Sequence, residues 1–528
     1  SEALNYGKKE LKKNNKNSNL YNAIGAILYN KNQKAEAEKN FQLALVHDNK
    51  NALAFTNIGK IYIDKGDLVS ALKCFNRAYF LNSKSKTSFQ NLNKFLLDYF
   101  PTNYNKLWLK AFQMILSNKT IFEIEDTRSL QKLATNFLML NPLLKDILVY
   151  IDFENKINKN FIDNLFNLSK IKLFHICLQD QINYNLEFEK FLTKLRKYLL
   201  INLKHLPISL EINKLIQSIA LQNNLNEYIF FENQLETKLI TNIENQIKKE
   251  IKSKSFSNFT NLLLLGCYRD LKSFKWIKEI NFPFDYLKLK ERFITLPLIE
   301  NEYKKNIIII DKVKNKVSKN VKKQYEENPY PKWIHLPSST TKYKLDEYLK
   351  KKRIDYKLNK NFNDNKIEIL VAGCGTGREP ISYSLILKNC NVTAIDLSQS
   401  SLAYAIRKAK EYNLKNIKFF QCDILNVKNL KTKFDVICCN GVLHHLEDPI
   451  EGWRQLGKSL KDDGLMKISL YSKLARNHLK PYQEKYAKCN FLDFEKEIQI
   501  FRNDVLNSSK SEIDNLTISR DFFNLSEL

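Results

Sequence analysis

Glycine is scarce in this sequence, with only 12 among 528 residues. Three of the 12 nevertheless fall within five positions, at Gly373, Gly375 and Gly377 in the stretch VAGCGTGREP (371–380). Because glycine has no side chain and adopts left-handed backbone conformations at little cost, this cluster indicates a loop to which another group comes very close. The scarcity of glycine elsewhere, above all in residues 101–310, favours long helices.

Cysteine pairs of the CxxC type are absent. The nine cysteines are scattered, and no two of them are separated by only two residues. This pattern argues against a zinc site and against a disulfide framework. It predicts a reducing, cytoplasmic environment and no metal cofactor.

Long apolar runs are also missing. No uninterrupted run reaches the roughly 18 residues that a membrane-spanning helix needs. The opening stretch, SEALNYGKKELKKNNKN, is polar and lacks the apolar core of a signal peptide. We therefore expect a cytoplasmic protein that does not span a membrane.

Acidic residues are in the minority: 57 Asp and Glu stand against 85 Lys and Arg, which gives a net charge of +28. Such an excess often marks a nucleic-acid-binding protein. Here the excess is mostly lysine, whereas arginine supplies most specific phosphate and base contacts. We interpret the charge as a solvated basic surface and do not expect nucleic acid as a partner.

The first hundred residues carry a repeat. When residues 18–51 are placed on residues 52–85, large, small and aromatic positions coincide at an offset of 34 residues. The matching pairs are Tyr21 and Phe55, Ile24 and Ile58, Gly25 and Gly59, Leu28 and Tyr62, Ala37 and Ala71, Phe41 and Phe75, and Ala44 and Ala78. This is the tetratricopeptide pattern of stacked helix pairs. Such repeats act either as a scaffold or as a concave groove for a peptide, and the sequence leaves both open.

The remainder of the chain divides into two patterns. Residues 101–310 place apolar residues at helical three- and four-residue steps and predict an all-helical middle region. From residue 361, short apolar runs alternate with helical segments, which predicts an α/β domain with a parallel sheet. The runs are KIEILVAG, NVTAID, IKFFQCD, KFDVICCNG and GLMKISLY. Ligands of such sheets bind at the carboxyl ends of the strands, where the glycine loop falls.

The glycine loop has the spacing GxGxG. A dinucleotide-binding loop has glycine at the sixth position, where this chain has Arg378, and a P-loop ends in GK[ST]. Asp396, at the end of the second run, can accept hydrogen bonds from ribose hydroxyls. Asp423, at the end of the third, can accept from an adenine amino group beside the Ile424 amide. With NGVLHH (440–445) ending the fourth run, these strand ends predict a nucleoside pocket.

This constellation resembles the class I S-adenosylmethionine-dependent methyltransferases, whose domain is Rossmann-like. The resemblance implies S-adenosyl-L-methionine as the cofactor and S-adenosyl-L-homocysteine as the product. It also implies that the methionine half lies against bare glycine backbone, so that a Cβ at position 373 or 375 would occupy cofactor space. The cofactor-binding residues expected from it are Gly373, Cys374, Gly375, Thr376, Gly377, Asp396, Leu397, Asp423, Ile424, Asn440 and Gly441. Tyr325 and Trp333 are added to this set by a second resemblance.

A second resemblance concerns the segment before this domain. QYEENPYPKW (324–333), followed by NGVLHHLEDP, resembles the rickettsial-type bacterial protein-lysine methyltransferases, whose known substrates are lysines of outer-membrane proteins. LNEYIF (225–230), LLLLGCYRDL (262–271) and SRDFFNLSEL (519–528) also look like that family. The resemblance implies that QYEENPYPKW is an aromatic lid over the cofactor, whereas the residues alone leave a rigid linker equally open. The tetratricopeptide region is not part of the lysine-methylating members.

The expected catalytic residues are His444, His445 and Tyr330. A histidine at the end of the fourth run can act on the acceptor as a base or orient it, although a hydrogen bond to loop backbone is the alternative. A metal role is not expected, because no third ligand lies nearby in the sequence.

Three functions stay open. The first is methylation of protein side-chain amines, chiefly lysine, with the tetratricopeptide and helical regions binding the protein or peptide substrate. The second is a small-molecule methyltransferase whose repeats bind partners or form a homo-oligomer. The third is a non-catalytic scaffold, against which the intact set Gly373, Gly375, Asp396 and Asp423 argues.

The predicted organisation has five parts. They are tetratricopeptide repeats at 1–100, a helical middle domain at 101–310, a lid or linker at 311–360, a methyltransferase core at 361–475 and a helical extension at 476–528. Class I sheets usually end in an antiparallel hairpin, and the last part does not predict one. We therefore expect that extension to be incomplete.

Overall fold

The computed structural model forms two compact units. It describes residues 2–118, 124–154, 156–336, 342–354, 366–472, 474, 477, 480, 481, 484, 494–508, 516, 517 and 520–523. The first unit comprises Ser1–Leu178 and Asn183–Leu195, and the second comprises Gln179–Ile182 and Arg196–Leu528. The predicted middle region, 101–310, therefore contributes helices to both units, and its limits stay a prediction.

The first unit is helical throughout its described secondary structure. Its helices are α1 (Glu2–Lys13), α2 (Ser18–Asn30), α3 (Lys34–His47), α4 (Ala52–Asp64), α5 (Leu68–Leu81), α6 (Lys86–Asp98), α7 (Lys106–Leu116), α8 (Ile124–Met139), α9 (Pro142–Phe153) and α10 (Lys159–Ser169). Two more, α11 (Lys172–Gln179) and α12 (Leu186–Ile201), run from the first unit into the second.

The helix starts in this unit follow the predicted 34-residue offset. Asn17, Asn51 and Ser85 precede α2, α4 and α6, and each side chain accepts a hydrogen bond from the backbone amide three residues further on. Such caps satisfy amides that have no partner within the helix, which fixes where the helix begins.

Small residues let the paired helices approach closely. A Cβ built on Gly25 would lie 2.6 Å from Cε1 of Phe41, and one built on Gly59 would lie 3.0 Å from Cζ of Phe75. The aromatic ring of the second helix therefore occupies the space that glycine leaves open on the first.

The second unit contains a helical part and a sheet. Its further helices are α13 (Leu210–Leu225), α14 (Gln234–Lys252), α15 (Phe259–Gly266), α16 (Leu287–Lys290), α17 (Leu296–Lys305), α18 (Lys316–Glu327), α19 (Leu345–Lys351), α20 (Arg378–Ile386), α21 (Gln399–Glu411), α22 (Pro449–Lys458) and α23 (Phe494–Leu506). The strands are β1 (Ile308–Ile309), β2 (Ile367–Ala372), β3 (Cys390–Asp396), β4 (Ile417–Gln421), β5 (Phe434–Asn440) and β6 (Leu460–Ser469).

The sheet has the order β1-β4-β3-β2-β5-β6, and every pair of neighbouring strands is parallel. This confirms the predicted α/β Rossmann-like domain after an all-α region. Alternate residues of β2 pack on opposite faces: Ile369 and Val371 join one buried cluster, and Leu370 and Ala372 join the other. Burial of both faces explains why the strand reads as a continuous apolar run.

Two absences hold for the described part of the chain. No helix there is both long and apolar enough to cross a membrane. Likewise, no cluster of His, Cys, Asp and Glu in those residues is arranged to hold a metal ion.

Candidate active site

The glycine loop follows β2 at the carboxyl edge of the sheet. The backbone amides of Gly373 and Cys374 both donate to the Ile395 carbonyl at the end of β3, at 2.9 Å each. All three glycines have left-handed φ angles, of +70° at Gly373, +51° at Gly375 and +82° at Gly377. Gly377 then precedes the first turn of α20. These angles, which glycine alone adopts readily, explain the choice of residue at these positions.

The space beside the glycines is taken up by other parts of the protein. A Cβ on Gly373 would lie 2.4 Å from Cγ2 of Val442, and a Cβ on Gly375 would lie 2.4 Å from the Tyr330 carbonyl oxygen. The protein's own atoms therefore already leave no room for side chains at these two positions, and the expectation that a Cβ there would also occupy cofactor space stays a prediction. The sequence could not show this contact, because Tyr330 lies 45 positions upstream.

Asp396 ends β3 and holds the loop. Its Oδ2 accepts a hydrogen bond from the Gly375 amide at 2.8 Å, and its Oδ1 accepts one from the Ser398 amide at 2.9 Å. Loss of surrounding water raises the pKa of the Asp396 carboxyl above its ordinary value, although these backbone amides oppose the shift. The next residue, Leu397, accepts a hydrogen bond at its carbonyl from Nε2 of Gln421 at 3.0 Å.

Asp423 stands at the end of the neighbouring strand, β4. Its Oδ1 accepts a hydrogen bond from the Leu425 amide at 3.0 Å, at the start of the 3-10 helix Ile424–Leu430. Its Oδ2 accepts none from the described residues, although Asp423 is only 4% exposed. A carboxylate oxygen without a protein donor at a strand end is suited to accept a hydrogen bond from a ligand.

Asn440 ends β5 and belongs to a network that sequence reasoning missed. Its Nδ2 donates to both carboxylate oxygens of Glu379, at 2.5 and 2.6 Å, and its Oδ1 accepts from Oγ of Ser469 at 2.8 Å. Lys467 Nζ lies 3.1 Å from Glu379. The following Gly441 has a φ of +68° and open space beside its Cα. Glu379 lies two residues after Gly377. Its position next to the glycine loop was the sequence signal from which its place in the site could have been predicted.

Four rings gather beyond β5 and β6. The His444 ring lies 4.1 Å from that of His445 and 4.1 Å from that of Tyr471, measured between ring centroids. The hydroxyl of Tyr325 lies 3.4 Å from Nε2 of His445. The structure thus brings the predicted His444, His445 and Tyr325 together and adds Tyr471. Tyr471 is the last residue of the apolar run GLMKISLY. Because β5 and β6 are parallel, this run ends at the same edge of the sheet as NGVLHH, and this was the sequence signal for Tyr471.

The segment Tyr330–Trp333 lies on the glycine loop, and we call it the strap. The Thr376 amide donates to the Tyr330 carbonyl at 3.1 Å, and the Thr376 hydroxyl donates to the Pro331 carbonyl. Nε1 of Trp333 donates to the Thr376 carbonyl at 3.2 Å. Thr376 is fully buried under this segment. Tyr330 therefore meets the loop through its backbone.

Glu326, just before the strap, attaches α18 to the sheet domain. Its carboxylate accepts hydrogen bonds from the Gln399 amide at 2.7 Å and from the Ser400 hydroxyl at 2.6 Å, at the first turn of α21. Burial alone would raise the pKa of Glu326, but hydrogen bonds from Lys304 and Ser400 hold it below its ordinary value. Glu326 thus acts as a helix cap.

These residues fit a nucleoside cofactor with an amino-acid tail. Asp396 and Asp423 place carboxylate acceptors at adjacent strand ends, where hydroxyl and amino donors of a nucleoside can be bound. The start of α20 behind Gly377 presents backbone amides, which favour a carboxylate.

Comparison with known proteins decides the class of this domain. Residues 363–516 match the model of a methyltransferase domain family. The match confirms the predicted enzyme class and cofactor for this domain, which is of the S-adenosylmethionine-dependent methyltransferase class. It covers the sheet from β2 onward and does not reach the N-terminal helices.

Curated relatives match about a quarter of the chain. An uncharacterized protein of Synechococcus sp. is 37% identical over 120 residues, which is 22% of this chain and 29% of that protein. A ubiquinone biosynthesis O-methyltransferase of Rickettsia bellii is 34% identical over 131 residues, or 24% of this chain and 53% of that protein. The chain thus spans about half the length, or less, of these relatives.

One similar solved structure is PKMT2 from Rickettsia typhi in complex with AdoHcy. It is 17% identical, with 29% of this chain and 32% of that chain covered and a TM-score of 0.25. A similarity this low supports no statement about the substrate of this protein.

Proposed function

We propose that this protein is an S-adenosylmethionine-dependent methyltransferase that methylates side-chain amines of proteins, chiefly lysine. The observation that carries the proposal is the ring cluster His444–His445–Tyr325–Tyr471 at the same sheet edge as the glycine loop, Asp396 and Asp423. Cofactor and acceptor groups then meet at one edge of the sheet.

Residues at three strand ends would hold the cofactor. We assign the ribose to Asp396, the adenine to Asp423 and Ile424, and the methionine carboxylate to the start of α20 behind Gly377. When bound, S-adenosylmethionine supplies an activated methyl group on a positively charged sulfur. The protein therefore needs no covalent intermediate and has to position the acceptor and keep it deprotonated.

His445 is our candidate for removing the acceptor proton. An amine at neutral pH is protonated and has no lone pair with which to attack. Nε2 of His445 lies 3.4 Å from the Tyr325 hydroxyl, and the His444 ring lies 4.1 Å away at a tilt of 46°. A histidine held in this way can accept a proton near neutral pH. Tyr330 stays a predicted acceptor-side residue.

The N-terminal repeats are assigned to binding of the protein substrate. Their helix starts at Ser18, Ala52 and Lys86 and the close contacts of Gly25 and Gly59 support the tetratricopeptide assignment. QYEENPYPKW and the other segments resembling protein-lysine methyltransferases support a protein acceptor. We propose a cytoplasmic, bacterial protein, and a homo-oligomer stays open.

A small-molecule O-methyltransferase is the second candidate. It is favoured by the relative at 34% identity that is named a ubiquinone biosynthesis O-methyltransferase. A hydroxyl acceptor would also need a base at the position of His445. A non-catalytic scaffold is the third candidate.

One experiment separates the three candidates. The full chain is incubated with S-adenosylmethionine labelled in the methyl group and with fractionated bacterial lysate, and the label is followed into protein and small solutes. Label on lysine, located by mass spectrometry, supports the proposal, whereas label in small solutes supports the second candidate. Label in neither fraction, with S-adenosylhomocysteine not bound in calorimetry, supports the scaffold. His445→Ala should lose transfer and retain S-adenosylhomocysteine binding.

A further inference from the structure

Lys332, in the middle of the strap, is bound by the helical part of the second unit. Its Nζ lies 3.3 Å from Oε1 of Glu227 and 3.4 Å from the Asn224 carbonyl oxygen, to which it donates. The Glu227 side chain is only 5% exposed, and that of Lys332 is 23% exposed. A carboxylate this deeply buried is costly unless a cation compensates it, and Lys332 supplies that charge.

The backbone at Glu227 is unusual. Glu227 and the next residue, Tyr228, both have left-handed φ angles, of +60° and +62°. Two successive non-glycine residues in this conformation are rare, because the Cβ atom meets the backbone. Strain of this kind persists where the surrounding structure requires it, and it often accompanies function.

Several contacts hold this turn in place. The Tyr228 amide donates to the Asn223 carbonyl at 2.8 Å, at the end of α13. The Tyr228 carbonyl accepts a hydrogen bond from Nε2 of Gln499, in α23, at 2.6 Å. The turn is thus fixed from two helices, and its conformation places the Glu227 carboxylate beside Lys332.

The residues on either side of Lys332 contact the cofactor loop. Pro331 accepts a hydrogen bond from the Thr376 hydroxyl, and Trp333 donates one to the Thr376 carbonyl. The carbonyl of Tyr330 fills the space beside Gly375. A shift of Lys332 would therefore move the strap on both sides of Thr376 and change the shape of the loop.

We propose that Lys332 is a positioning residue of the cofactor site, through which the Glu227–Tyr228 turn of the helical part fixes the strap on the glycine loop and so sets the affinity for the cofactor. The inference rests on the proposed function, because the loop must bind S-adenosylmethionine for the affinity to have meaning. It gives a role to LNEYIF and QYEENPYPKW, which meet at this ion pair.

Calorimetry with S-adenosylhomocysteine tests the proposal on the full chain. Lys332→Met should weaken binding by about tenfold or more, since it removes the cation that ties the strap to the buried Glu227 carboxylate. Lys332→Arg should bind within about threefold of the wild type, because it keeps the charge. Lys323→Met, which changes an exposed lysine of α18, is the matched control and should bind as the wild type does.

A charge exchange separates positioning from general loss of folding. Glu227→Lys combined with Lys332→Glu restores opposite charges and should recover part of the affinity that either single change loses. Equal affinity of Lys332→Met and wild type would overturn the inference and leave the proposed function intact. The inference would also be overturned if the double variant has a melting temperature that shows it is folded but binds S-adenosylhomocysteine no better than the single variants. A wild-type chain that does not bind S-adenosylhomocysteine would overturn both.

Discussion

Asp396 combines two tasks in one side chain. Both of its carboxylate oxygens accept hydrogen bonds from backbone amides, those of Gly375 and Ser398, and the same oxygens face the edge where we place the ribose. A carboxylate can do both, because its two oxygens offer about four acceptor positions. An amide in its place would have only one accepting atom.

We expect Asp396→Asn to weaken S-adenosylhomocysteine binding by roughly 1.5–3 kcal/mol, the value of a charge-assisted hydrogen bond with its partner left unpaired. The amide nitrogen would face either the Gly375 or the Ser398 amide, donor against donor. Calorimetry measures the effect. Asp435→Asn is the matched control, since Asp435 also accepts a backbone amide, from Glu368 at 2.8 Å, at the opposite end of β5. Unchanged affinity of Asp396→Asn for S-adenosylhomocysteine would show that Asp396 does not bind the ribose.

The raised pKa of Asp396 predicts a pH dependence. Because water is excluded from it, the carboxyl takes up a proton at a pH above the ordinary value of 3.8. The protonated form accepts hydrogen bonds poorly, so the affinity for S-adenosylhomocysteine should fall as the pH decreases toward that raised pKa. In the cofactor-free protein the sign is opposite: ionisation of Asp396 lowers stability above its raised pKa and costs nothing below 3.8. Affinity measured across acidic pH should lose this dependence in Asp396→Asn.

At the scale of residues, the sequence allows a position at the sheet edge to be predicted where a strand end marks it, whereas the cofactor-binding roles stay predictions. Asp396, Asp423 and the glycines close apolar runs, so their shared edge follows from the parallel sheet. Glu379 with Asn440, and Tyr325 with His445, were not predicted as pairs, since 61 and 120 positions separate their members. Side-chain contacts between distant segments depend on packing that the local pattern does not contain.

At the scale of elements, the strap and the glycine loop form one interlocked piece. Gly375→Ala would place a Cβ 2.4 Å from the Tyr330 carbonyl oxygen at a φ of +51°. We expect the strap to move away from Thr376 and S-adenosylhomocysteine binding to be lost or weakened by more than about tenfold. Loss of the Trp333 contact should appear as a change in tryptophan fluorescence.

The matched control for that substitution is Gly66→Ala. Gly66 has a φ of +76° but nothing within 4 Å of its added Cβ, and it lies between α4 and α5. Gly66→Ala should lower the free energy of unfolding by roughly 1–2 kcal/mol, the cost of a left-handed φ for alanine, and should leave S-adenosylhomocysteine binding unchanged. Wild-type binding by Gly375→Ala would show that the strap does not shape the cofactor site.

Among the elements, β1 is a strand that could not be predicted from the sequence pattern. The strands β2, β3 and β5 carry apolar runs because most of their residues are buried on both faces of the sheet. The strand β1 has two residues, Ile308 and Ile309, which are 60% and 53% exposed and join the sheet only by pairing with β4. Neither alternation nor a continuous run can be recognised in two residues, so the sequence placed them in the helical region.

For the whole molecule, the two units carry different parts of the proposal. The glycine loop, Asp396, Asp423 and the ring cluster all lie in the second unit, and the repeats lie in the first. Cofactor binding therefore depends on the second unit alone in our proposal, whereas transfer to a protein depends on both. The two properties can be separated by damaging the first unit.

Gly25→Leu should do this, because even a Cβ at that position would lie 2.6 Å from the Phe41 ring, and the helix pair would be forced apart. We expect a lower melting transition, unchanged affinity for S-adenosylhomocysteine and a strong decrease in labelled protein. Val46→Ser, at a 75% exposed position of α3, is the control and should leave all three unchanged. If Gly25→Leu labels protein as well as the wild type does, the repeats do not deliver the substrate. Retained transfer to small solutes alone would instead favour the small-molecule candidate.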